Sequence, residues 1–110
     1  MMKNDGKKVS AIDESVRDHS QRAVISEDRS FIFVESRVGR EKRWTTAIKM
    51  DEWNRAIKFN KYSFNPAYNK AEFIRQKTLS MDDESGGWCQ ADRIRDSMIM
   101  AIDKALVKLK

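Results

Sequence analysis

The chain has 110 residues, 35% of them charged and 40% apolar, with a formal charge of +5, one histidine and one cysteine. That length supports one domain with a modest core, small enough for dimerisation to add to its stability. A lone Cys89 excludes an internal disulfide and fits a reducing compartment, and no apolar run is long enough to span a membrane. The opening MMKNDGKKV lacks the apolar region of a signal peptide, so a cytoplasmic protein of bacterial, phage or plasmid type is expected.

The positive charge is unevenly placed. Residues 1–50 carry a balance of +3, residues 51–80 another +3, and residues 81–110 a balance of −1. The basic surplus in the first eighty residues favours nucleic acid or an acidic partner, with a solvated lysine-rich surface as the bland alternative.

In chain order, residues 1–9 are polar and expected to be disordered. Residues 10–22 read as a short helix, capped by Ser10 with Asp13 three residues on, and with a thin stripe of Ile12, Val16 and Ala23. Residues 1–30 together are read as a polar N-terminal arm. Phe31-Ile32-Phe33-Val34 is a β-favouring run, and Val38-Gly39-Arg40 supplies a turn. Residues 44–50 then alternate, placing Trp44, Ile48 and Met50 on one face and Thr45, Ala47 and Lys49 on the other.

Asp51 follows as a good N-cap, with Glu52 in the first turn and Trp53, Ala56 and Ile57 on one helical face. Residues 63–67 break the pattern, because Pro66 lacks a donor and pushes Asn65 out of the helical region. Asn69 is expected to start the next helix, with Glu72 at capping-box spacing and Phe73 and Ile74 directly after it. Trp53, Ile57, Phe73 and Ile74 are assigned to the core. Residues 81–87 form an acidic joint ending in Gly86-Gly87. Residues 88–110 read as a long amphipathic helix, its stripe made by Ile94, Met98, Ile102, Leu106 and Leu109 and widened by Ala91, Ala101 and Ala105.

Catalysis has poor material. His19 is isolated, Cys89 beside Trp88 reads as a packing residue, and Asp82, Asp83 and Glu84 lack the rest of a calcium loop. With no metal-ligand spacing and no phosphate-binding glycine loop, neither an enzyme nor a cofactor is expected.

Strand 44–50 needs a partner. One solution is a hairpin with the run at Phe31, joined by residues 36–42. The other is a twin strand from a second subunit. The order of strand, helix, polar turn and NKAEFIRQKTL resembles the ribbon-helix-helix family of small dimeric DNA-binding proteins. In that family the second helix opens with a small polar cap, an acidic residue, two apolar residues and an arginine, and Asn69, Glu72, Phe73, Ile74 and Arg75 follow that order. Three positions depart from it: Asp51 stands where a proline is frequent, Asn65-Pro66 replaces the inter-helix glycine, and Lys77 takes the place of a small apolar residue.

The resemblance implies an α+β, mostly helical fold with a ribbon-helix-helix core over residues 31–80. Each subunit of the homodimer would give one strand and two helices to an intersubunit two-stranded ribbon, with an N-terminal hairpin or arm and a C-terminal amphipathic helix outside it. Double-stranded DNA is the implied partner, with no membrane association. A ribbon fits the major groove, where Thr45, Ala47 and Lys49 would read bases. Asn69, Lys70 and Ala71 at a helix start would hold phosphate, and Arg40, Lys42 and Arg43 would grip flanking phosphates. A transcriptional repressor or a plasmid relaxosome (mobilisation) accessory factor is the expected role, with helix 88–110 joining dimers or docking a protein. The alternative is a small phage- or plasmid-encoded α+β protein that modulates a protein partner without touching DNA.

Overall fold

Side chains that alternate inward and outward with a period of two run through four segments of the chain, and each is a strand. In the structure, a computed structural model describing residues 7–17, 19–38, 42–58, 65–81 and 88–110, these are β1 Val9–Asp13, β2 Ser20–Ile25, β3 Phe31–Val38 and β4 Lys42–Lys49. They form one antiparallel sheet in the order β1-β2-β3-β4. Three helices follow: α1 Met50–Lys58, α2 Pro66–Lys77 and α3 Trp88–Val107.

This sheet overturns the expected ribbon-helix-helix core, which has a single strand in each subunit. Strand β4 already has a partner in its own chain: it pairs with β3 from Phe31↔Lys49 to Val38↔Lys42, and Ile48 lies opposite Ile32. The hairpin is therefore the arrangement formed. The helix expected over residues 10–22 is replaced by β1, a turn and β2. Apart from Val9 and Ile25, the inward positions of those strands are small or polar (Ala11, Asp13, Gln21, Ala23), whereas Ile12 faces solvent. Such a strand lacks the apolar alternation that marks a half-buried one, so its period is hidden in the sequence.

Pairing aligns the inward residues in three rows across the sheet. Val9, Ile25, Ile32 and Ile48 form the first, Ala11, Ala23, Val34 and Thr46 the second, and Asp13, Gln21, Ser36 and Trp44 the third. Helix α3 packs across β1 and β2 and touches β3. Its buried Ala91, Ile94, Met98, Ala101, Ile102 and Ala105 join the inward rows in one core, as the stripe predicts. The small side chains of the second row let the helix approach closely, while the isoleucines of the first supply most of the apolar area. Met100 and Val107, off the stripe, are exposed.

Asp13 ends the third row beneath α3, only 2% exposed. It accepts hydrogen bonds from Ser97 Oγ (2.6 Å), Lys104 Nζ (2.8 Å) and the Ser15 backbone N–H (3.1 Å). Burial pushes its carboxyl up, but the Lys104 ammonium and the Ser15 and Ser97 hydroxyls outweigh this and hold it well below the usual carboxylate range. Lys108 Nζ reaches the Ser10 carbonyl at 2.6 Å and Lys104 Nζ the Ile12 carbonyl at 3.4 Å, so two lysines one turn apart cover the backbone of the edge strand β1.

The remaining helices close the core at the β4 end. Trp53 of α1 is fully buried and meets Phe73 of α2 edge to face at 5.8 Å, with Ile57 packed nearby and Ile74 buried, as their assignment to the core requires. Lys77 Nζ lies 3.1 Å from Glu52 and 5.6 Å above the Phe73 ring. At the end of α2, the buried Arg95 of α3 donates to Thr78 Oγ1 (2.8 Å) and to the Thr78 carbonyl (2.9 Å), while Thr78 Oγ1 donates to Ile74 O (2.6 Å). A buried cation thus satisfies the carbonyl end of one helix from the side of another.

Two predictions follow from this packing. Replacing Arg95 by Met removes the charged donor from Thr78 Oγ1 and from the Thr78 carbonyl, which keeps the Met81 N–H at 3.0 Å, and should cost about 1.5–3 kcal/mol in urea unfolding. Because the folded carboxyl of Asp13 titrates below its unfolded value near 3.9, its contribution is complete above about pH 5 and is lost progressively as the pH falls further. Asp13→Asn should therefore be less stable at pH 7, by about 2 kcal/mol given that Lys104 is half-exposed, and should lose less stability than wild type between about pH 5 and 2.

Candidate nucleic-acid interface

All three helices lie on one side of the sheet, and among the described residues nothing covers the other. The turn after β2 fixes where that open face begins. Asp28 Oδ1 accepts from the Ser30 hydroxyl (2.6 Å), the Ser26 hydroxyl (2.8 Å) and the Ser30 N–H (3.0 Å), which hold its carboxyl down to about 2. Arg29 takes the left-handed conformation there, at φ 65°. The Ser30 carbonyl accepts from the Met50 N–H at 2.8 Å, tying this turn to the junction of β4 and α1.

From that turn β3 sends Phe31, Phe33, Glu35 and Arg37 outward. The Phe31 and Phe33 rings stack with centroids 5.7 Å apart and planes 22° from parallel, and Phe33 is 39% exposed. A phenylalanine open to water at mid-strand forgoes the burial that stabilises most of its kind. Opposite these rings on β4 stand Lys49 and Ala47, and Val24 of β2 flanks Phe33 on the other side. The next row is Ile12, Arg22, Glu35 and Thr45, and the last is Ser20, Arg37 and Arg43. One end of the face is thus apolar and aromatic with a single lysine. The other end is dominated by three arginines, with Arg43 lying 3.9 Å from Glu35.

The site residues expected from the sequence divide cleanly. Thr45, Ala47 and Lys49 are exposed together on the open face, and Arg43 joins them. The side chain of Lys42 and the whole of Arg40 lie outside the described residues, as do residues 82–87 of the acidic joint. Asn69, Lys70 and Ala71 belong to the helical layer instead. Helix α2 begins at Pro66, not at Asn69: Asn65 is the N-cap, its Oδ1 accepting from the Ala67 N–H at 3.0 Å. Proline suits the first helical position because its missing donor would have no partner there. Asn69 is consequently buried inside the helix, its N–H donating to the Asn65 carbonyl, and offers no free helix terminus to a phosphate. Lys70 is engaged with both carboxylate oxygens of Asp103 at 3.1 and 3.2 Å.

Arg22, Phe31, Phe33 and Arg37 were not among the expected site residues. Their signal is the alternation of Phe31, Phe33, Glu35 and Arg37 against Ile32, Val34 and Ser36, which separates two faces of one strand. Among the described residues no three His, Cys, Asp or Glu side chains converge as a metal site, and no helix is long and apolar enough to cross a membrane. Comparison of the chain with protein-family models, with characterised proteins and with solved structures finds no match.

The two faces of β3 should respond oppositely to truncation. Phe33→Ala should change stability by less than about 1 kcal/mol, whereas Ile32→Ala, one residue away and facing α3, should cost about 2–5 kcal/mol in urea unfolding.

Proposed function

We propose that this chain is a non-catalytic binding protein that takes single-stranded nucleic acid on the open face of its sheet. The observation that carries the reading is the placing of stacked rings, an exposed Phe33 and a half-buried Phe31, on the same uncovered surface as Arg22, Arg37, Arg43 and Lys49. Unpaired bases present flat π-faces that stack on aromatic rings, each contact being worth about 1–3 kcal/mol, while cations beside them follow the backbone. The overall charge of +5, concentrated before residue 80, supplies the long-range attraction.

Width separates this reading from recognition of a duplex. Four strands spaced by about 4.8 Å span roughly 14 Å between their outer members, more than the ~12 Å opening of a major groove that admits two strands. Thr45, Ala47 and Lys49 then serve as the β4 border of a flat platform, not as the tip of a ribbon inserted among base pairs. Lys49, opposite the Phe31 ring, is placed to meet a phosphate next to a stacked base.

Fluorescence anisotropy with single-stranded and duplex oligonucleotides of equal length tests this. Single strands should bind more tightly, with log K falling against log salt at a slope of roughly −2 to −3 if the four cations each meet a phosphate. Phe33→Ala should weaken binding by roughly 5- to 100-fold without loss of fold. A preference for duplex, or indifference to Phe33, overturns the reading. Failure to bind either form at low salt would leave a protein partner as the ligand of this surface.

A further inference from the structure

Resting on that reading of the open face, we propose that its arginine end is a discrete phosphate seat, separate from the ring end, so that a bound strand spans both along β3. Arg22, Arg37 and Arg43 come from three adjacent strands and, with Ser20, Glu14 and Glu35, line a concave depression of about 340 Å³. Arg37 and Arg43 are direct cross-strand partners, a placing of like charges that destabilises a sheet in the absence of an anion. Glu35 is the cross-strand partner of Arg22 and lies 3.9 Å from Arg43, with about half of its side chain exposed, so its hold on either guanidinium is weak and a stronger anion displaces it.

The chemistry of three guanidinium forks around a hollow selects the ligand. Each fork gives paired N–H donors, and a tetrahedral phosphate offers oxygens on several sides at once, which a planar carboxylate does not. Phe33 and Arg37 are four residues apart on the same face, about 13 Å along the strand. A base stacked on the rings therefore lies a few nucleotides from the phosphate in the seat. Because rings and seat occupy opposite ends of the face, a short oligonucleotide can rest a base on the rings and place a terminal phosphate in the seat.

The test uses the whole chain and thymidine oligomers of three and ten nucleotides, each bare, 5′-phosphorylated or 3′-phosphorylated. The trimer should gain roughly tenfold in affinity from a terminal phosphate. The decamer should gain nothing, since an internal phosphate already fills the seat. Arg37→Gln should abolish the trimer's gain, and Glu35→Gln should strengthen trimer binding several-fold by removing the competing carboxylate. No gain from a phosphate at either end, or a gain that survives Arg37→Gln, would overturn the seat. A decamer that binds and depends on Phe33 yet ignores Arg37 keeps the platform and eliminates the seat. A decamer that fails to bind at low salt eliminates both.

Discussion

One-sided burial of the sheet is the constraint on which this structure depends. The inward rows of β1 to β4 and the stripe of α3 need each other: among the described residues, neither the Val9–Ile25–Ile32–Ile48 row nor the run Ile94, Met98, Ile102 has another apolar surface of comparable size to meet. Antiparallel sheets tolerate this arrangement because their opposite face can remain in water. The meander topology brings every strand beside its sequence neighbour, so the sheet is joined through short connections.

Polar groups set the limits of that core. Asp13 under α3 and Arg95 behind α2 are buried ions of opposite sign at different places, and each is engaged by named partners from another element: Lys104 and Ser97 for the first, Thr78 for the second. An ion buried without partners would cost several kcal/mol, so these pairings disfavour any shift of α3 along the sheet or of α2 against α3. Lys104 serves Asp13 and the edge of β1 together, which links the position of the long helix to the strand farthest from β4.

The same asymmetry leaves a surface with an unusual composition. A solvated strand face ordinarily carries small and charged groups, but here the exposed side of β3 presents two stacked rings and the strands around it present arginines. Cations are not spent on ion pairs inside the helical layer alone, as Lys70 and Lys77 are. Several stand on a flat, rigid sheet whose geometry is held from behind by the core. Rigidity of this kind suits a binding surface, because little order has to be gained when a ligand arrives.

The amphipathic helix read over 88–110 and formed over 88–107, the strand read over 44–50 and ending at Lys49, the β3–β4 hairpin as one of two arrangements, and the core roles of Trp53 and Ile74 were legible in the sequence, because each rests on a period or a turn that local residues encode. The start of α2 was misplaced by four residues because both Asn65 and Asn69 are competent caps, and only the backbone of the folded chain chooses between them. The partner of β4 and the strands β1 and β2 were decided by tertiary structure. Apart from Val9 and Ile25, the inward positions of β1 and β2 hold alanine, aspartate and glutamine, residues whose burial makes sense only once Lys104, Ser97 and the packing of α3 are in place. The sequence by itself determined a small, basic, mixed α and β chain with a long packing helix. Which side of the sheet that helix covers, and hence which rings and arginines face water, followed only from assembly, since burial is a property of the neighbours a side chain meets and those neighbours are distant in the chain.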